Sequence, residues 1–131
     1  MSDGNSSLRT PLGRVRGHGA AKSGTGHFIE QRVSAVALAV LSVWFVVAAA
    51  VSLPLGYDGA RAWVAQPAVA LGLILFALTA FFHMRIGLSV VIEDYITKPA
   101  TKATLLILNA FVCFALAIAS AFSIVLISVG S

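Results

Sequence analysis

Three long apolar runs organise the chain, at about residues 33–55, 67–92 and 103–129, with short polar stretches between them and a polar, glycine-rich segment ahead of the first. Each run meets the roughly 20 residues that a helix needs to cross about 30 Å of hydrocarbon. In a bilayer core, backbone amides find no water, so a spanning segment is either a helix or part of a closed barrel. Barrel strands alternate polar and apolar positions, and the run VSAVALAVLSVWFVVAAAV from Val33 to Val51 does not. The pattern predicts an all-α integral membrane protein with three transmembrane helices. Residues 29–131 form the membrane anchor, and residues 1–28 form a flexible basic arm.

Composition sharpens this and excludes a soluble monomer. Of the 131 residues, 59% are hydrophobic and 11% charged, too few polar side chains to cover a globule. The first run is not a cleavable signal, because about thirty polar and glycine-rich residues precede it and it exceeds the length of a signal peptide's apolar core.

Charge sets the expected orientation. Arg9, Arg14, Arg16, Lys22 and Arg32 precede the first run, Lys98 and Lys102 lie between the second and third, and Arg61 alone lies between the first and second. Seven basic residues against one place the N-terminus and the 93–102 loop in the cytoplasm, and the 54–66 loop and the C-terminus on the other side. Topology and anionic lipid therefore account for the net charge of +4, and no nucleic acid is needed. The stretch GRVRGHGAAKSGTG at 13–26 superficially resembles a phosphate loop, but it lacks the Gly-Lys-Ser spacing and a soluble strand-and-helix context. With six glycines among the first 26 residues, the arm is expected to order only against a partner.

Candidate chemistry concentrates in HMRIGLSVVIEDY, His83 to Tyr95. An ionisable ring within an apolar span is costly and marks either ligation or proton handling, or else a hydrogen bond to a neighbouring helix. At about 100° and 1.5 Å per residue, Asp94 falls within about 20° of His83 around the helix and about 16 Å further along it. Gly87, one turn beyond His83, leaves room on that face for a planar group. Arg85, about 200° around from His83, points elsewhere. Neutral imidazole ligates haem iron well, yet the other histidines, His18 and His27, lie in the arm. A six-coordinate haem would then take its second axial ligand from another chain, which points to a hetero-oligomeric bundle. Asn109, Ser120 and Ser123 are expected to join helices by hydrogen bonds. The single Cys113 is expected to pack as a small apolar side chain, and Gly72 to admit a close neighbour.

The segment from His83 to Tyr95 fits H-x3-G-x6-D-Y, which resembles the second helix of the D-type hydrophobic membrane-anchor subunit of succinate dehydrogenase. The stretch HFIEQRVSAVAL at 27–38 is similar to that family's entry into its first helix. The resemblance implies that His83 is an axial ligand of haem b, and so of its iron, with the other ligand from the larger C-type cytochrome b anchor subunit. It implies that Tyr95 hydrogen-bonds ubiquinone, that Asp94 supports that site and its proton supply, and that Arg32 meets a haem propionate. The implied partners are the flavoprotein, iron–sulfur and C-type anchor subunits. The implied place is the bacterial cytoplasmic membrane, in the tricarboxylic acid cycle and aerobic electron transport, with the C-terminus periplasmic. On this reading the chain is a subunit of an enzyme complex and not its catalytic core. Three alternatives stay open: a small transporter subunit with Arg85, Glu93 and Asp94 along an ion path, a purely structural assembly protein, and a fumarate-reductase-type anchor.

Overall fold

The computed structural model describes residues 22–130, all but a few of them helical. Helix α1 spans Lys22–Ser52, a 3-10 turn follows at Leu53–Leu55, and the short α2 spans Gly56–Ala65. Helix α3 spans Pro67–Tyr95 and α4 spans Pro99–Val129. Three stretches, Thr25–Ala65, Pro67–Tyr95 and Pro99–Val129, are long and apolar enough to cross a membrane. The three expected transmembrane helices are therefore present.

Their limits differ from the apolar runs in informative ways. Residues 1–21 of the expected arm, with Arg9, Arg14, Arg16 and His18, lie outside the described residues, whereas residues 22–28 already belong to α1. A helix started in the membrane extends into polar sequence because each added residue gains a backbone hydrogen bond for little further entropy. The expected loop at 54–66 is largely helical. There Gly56, at φ +71°, turns the chain out of the 3-10 segment in a conformation that favours glycine, and α2 begins. The expected loop at 93–102 contracts to residues 96–98, with Ile96 N–H still bonding Ile92 O at 3.0 Å. Pro67 and Pro99 each stand in the first turn of their helices, where the missing N–H has no intrahelical partner to lose.

α3 is the central element: α1 and α4 each pack against it and not against each other. The result is an open layer of helices. Few apolar side chains are buried, namely Ala70, Leu73, Ile86, Cys113 and Ala117. Large exposed residues such as Phe111, Phe114 and Phe122 look outward to hydrocarbon or to a further chain. Against α1, the Phe45 and Phe76 rings stack at 5.1 Å between centroids and 11° between planes. Gly72 lies beneath the Trp44 indole, so closely that an added Cβ would stand 2.5 Å from the ring. The expected close neighbour at Gly72 is thus this tryptophan.

Against α4, the clasp is polar. Asn109 Nδ2 donates to Arg85 O at 2.9 Å and to Ser89 Oγ at 3.2 Å, and Cys113 Sγ donates to Asn109 Oδ1 at 3.3 Å. Asn109 is therefore interhelical glue, whereas Ser123 donates to its own helix at Ala119 O. Asn109→Ala is expected to weaken α3–α4 association by about 0.6–1.7 kcal/mol, the range for interhelical hydrogen bonds in membranes. An unfolding titration in detergent checks this. At the far end, Ser128 Oγ donates to Ala65 O at 3.3 Å, tying α4 to the end of α2.

Candidate functional site

His83 lies half-buried between α1 and α3. Both of its ring nitrogens meet polar atoms of α1: Nδ1 is 2.9 Å from Ser34 Oγ and Nε2 is 3.5 Å from Gln31 Nε2. Gln31 and Ser34 are three residues apart and therefore share one face of α1, and α1 runs antiparallel to α3 so that this face meets His83. Ser34 is buried at 5% exposure, and its hydroxyl also donates to Gln31 O at 3.1 Å. Gln31 Oε1 is buried without a hydrogen-bond partner. Gly87 faces the same way, since the nearest foreign atom to a Cβ added there would be Gln31 Nε2 at 3.8 Å.

Sequence reasoning missed Gln31 and Ser34. The available signal was a pair of polar residues at helical spacing in an otherwise apolar helix, but their partner is fixed only by the α1–α3 register. The neighbour-helix reading of His83 is seen directly in these contacts. It does not compete with ligation, because metal-bound histidines ordinarily carry such a partner on the other ring nitrogen.

The remaining predicted residues are not brought into contact with His83. Asp94 and Tyr95 occupy the last turn of α3 and are exposed, Tyr95 to 80%. With 29 residues, α3 is about 44 Å long against about 30 Å of hydrocarbon, so its last turn extends past the apolar core. Arg32 is exposed on α1, with its guanidinium 5.1 Å from the centre of the Phe28 ring. It lies about 100° around the helix from Gln31, and so beside the His83 face. Arg85 borders a separate apolar groove between α3 and α4, with Phe81, Phe82, Phe111 and Phe114. A second apolar groove, lined by Val33, Ser34, Ala37, Leu78, Thr79 and Phe82, opens between α1 and α3 beside the His83 contacts. Among the described residues, no three His, Cys, Asp or Glu side chains cluster. His83 thus stands outside any such cluster, flanked by the polar pair Gln31 and Ser34.

The sequence pattern of the family described as succinate dehydrogenase/fumarate reductase transmembrane subunit matches residues 6–122. This chain belongs to that family. It is 33% identical over 97 residues to the succinate dehydrogenase hydrophobic membrane anchor subunit of Paracoccus denitrificans, covering 74% of this chain and 75% of the relative. It is 29% identical over 107 residues to the subunit of that name from Rickettsia conorii, covering 81% of this chain and 85% of the relative. The corresponding Rickettsia bellii subunit is 28% identical over 100 residues. No solved structure matches the chain. The protein is accordingly a multi-pass membrane-anchor subunit of succinate dehydrogenase.

Proposed function

We propose that this subunit supplies one axial ligand of haem b through His83 and one wall of a ubiquinone-reduction site through Tyr95 and Asp94. The supporting observation is the face of α3 that carries His83, Gly87 and Asp94. At its mid-helix end an imidazole meets the polar pair on α1, and at its other end an exposed carboxylate and phenol stand clear of the apolar core.

The residues present suit a haem. Nε2 meets an amide nitrogen at 3.5 Å, Gly87 leaves space one turn on, and a mainly apolar groove opens beside these contacts. His83 supplies one ligand, so the second comes from the C-type cytochrome b anchor subunit, which also covers open faces of the helix layer. Arg32, beside this face at the start of the span, pairs with a propionate by a charge-assisted contact. When bound, haem b would supply a one-electron store within the same complex.

The chain's own work is positional and protonic. Succinate is oxidised in the flavoprotein subunit, and the iron–sulfur subunit delivers two electrons to ubiquinone at the C-terminal end of α3. Tyr95 O–H donates a hydrogen bond to a quinone carbonyl oxygen, orienting the ring and favouring negative charge on that oxygen. Asp94, at the water boundary, relays protons to the reduced oxygens, and two protons complete the quinol. The distribution of basic residues puts this end at the cytoplasmic face of a bacterial inner membrane, with the N-terminus cytoplasmic and the C-terminus periplasmic.

The ion-path alternative asks Arg85 and Asp94 to line one route. Asp94 lies on the opposite side of α3 from Arg85, which borders the α4 groove, whereas Glu93, the third member of that path, lies about 80° around the helix from Arg85. Purification of the complex through this chain is expected to yield a reduced-minus-oxidised b-type haem spectrum and two soluble subunits, one bearing flavin. A colourless preparation without a flavin-bearing partner overturns the proposal.

A further inference from the structure

We infer that Ser34 is a positioning residue for His83: its oxygen accepts the Nδ1 proton and so holds the imidazole in the tautomer whose Nε2 lone pair is open to a metal ion. The inference rests on the reading of His83 as a haem ligand and adds the group that makes it one.

The assignment follows from counting protons. A serine hydroxyl carries one. Gln31 O, 3.1 Å from Ser34 Oγ, accepts only, and the hydroxyl proton directed there leaves the serine lone pairs to face the ring. The 2.9 Å contact between Ser34 Oγ and His83 Nδ1 then uses a serine lone pair, and Nδ1 carries the hydrogen. On the other side of the ring, the Gln31 amide nitrogen at 3.5 Å is a donor only, which suits an unprotonated Nε2. With the amide in this orientation, both contacts fit the same tautomer.

The competing arrangement has Ser34 give its proton to Nδ1 and leaves an N–H on Nε2. That N–H would face the donor nitrogen of the amide unless the amide were reversed. In it Nε2 has no lone pair for iron, and the serine would oppose ligation. Gln31 Oε1, buried and unpaired, marks the amide as an imperfect guest at Nε2, able to give way to a stronger Lewis acid. With iron on Nε2, the Nδ1–H···Oγ bond would fix the ring plane and raise the basicity of the ligand.

The test uses the assembled complex in its membrane, grown with limiting haem. Readouts are the haem-to-flavin ratio, the reduced-minus-oxidised spectrum and the haem midpoint potential. Ser34→Ala is expected to weaken haem retention about ten- to a hundredfold, the usual range for partners behind a metal ligand. The midpoint of the remaining haem should rise, because a less basic ligand stabilises ferric iron less. Ser34→Thr, which keeps the hydroxyl, should restore both. Unchanged haem content and midpoint in Ser34→Ala, or a gain of haem, overturns the positioning role and leaves His83 as ligand. A wild-type complex lacking b-type haem instead overturns the ligand reading, and this inference with it. Should Ser34→Ala fail to assemble, Ser34→Cys carries the test: its weaker acceptor should give an intermediate loss, and a wild-type ratio and midpoint overturn the role.

Discussion

His83→Leu is expected to abolish the b-type haem spectrum, with at least a tenfold fall in haem per flavin, while flavin content and succinate oxidation by a soluble electron acceptor persist. Leucine matches the ring in approximate size and apolar character but offers no lone pair, so the chain would no longer supply the proposed ligand to a haem iron. The substitution also strands the Gln31 amide and frees the Ser34 oxygen, both already bonded to the ring in this structure. Some loss of assembled complex should therefore accompany the loss of haem, and the flavin measurement separates the two. Full retention of the spectrum in His83→Leu would show that the ligand lies elsewhere.

Tyr95→Phe is expected to produce the opposite division: ubiquinone reduction falls about five- to a hundredfold, and the haem spectrum is unchanged. Tyr95 is 80% exposed, so removing its hydroxyl disturbs no packed core, and stability should move by less than about 0.5 kcal/mol. Its Cα is about 18 Å along the helix from that of His83, beyond direct influence on the haem. What would disappear is the hydrogen-bond donor proposed to meet a quinone carbonyl. A buried acceptor left without its donor costs about 1–3 kcal/mol, which is about five- to a hundredfold in rate if the bond strengthens as charge develops. A drop confined to KM would assign the hydroxyl to binding alone. Full activity with ubiquinone would remove Tyr95 from the site.

The transmembrane helices were legible because the bilayer imposes a length, and the apolar runs meet it whatever their detailed packing. The second run was expected to start at Pro67, as α3 does, whereas α4 starts at Pro99, four residues ahead of the expected 103. Helix α2 was not legible. GYDGARAWVA has 10 residues, two of them glycine, and its helical form depends on docking against α4, where Ser128 reaches Ala65. The His83 and Asp94 relationship followed from helical geometry alone, since both are on one helix. Gln31 and Ser34 belong to a different helix, and no local pattern gives the register that sets them opposite the histidine. Asn109 could be named as glue in advance, because an amide in hydrocarbon must find a partner. Its particular choice of Arg85 O and Ser89 could not.

Between Tyr95 and Pro99 only three residues leave the helical path. The phenol is consequently mounted at a corner between two long rods and has no loop of its own to swing on. If quinone binds at this corner as proposed, discrimination among quinones would come from ring substituents fitting a short, fixed connection between two helices, and turnover would not wait for a long loop of this chain to open or close.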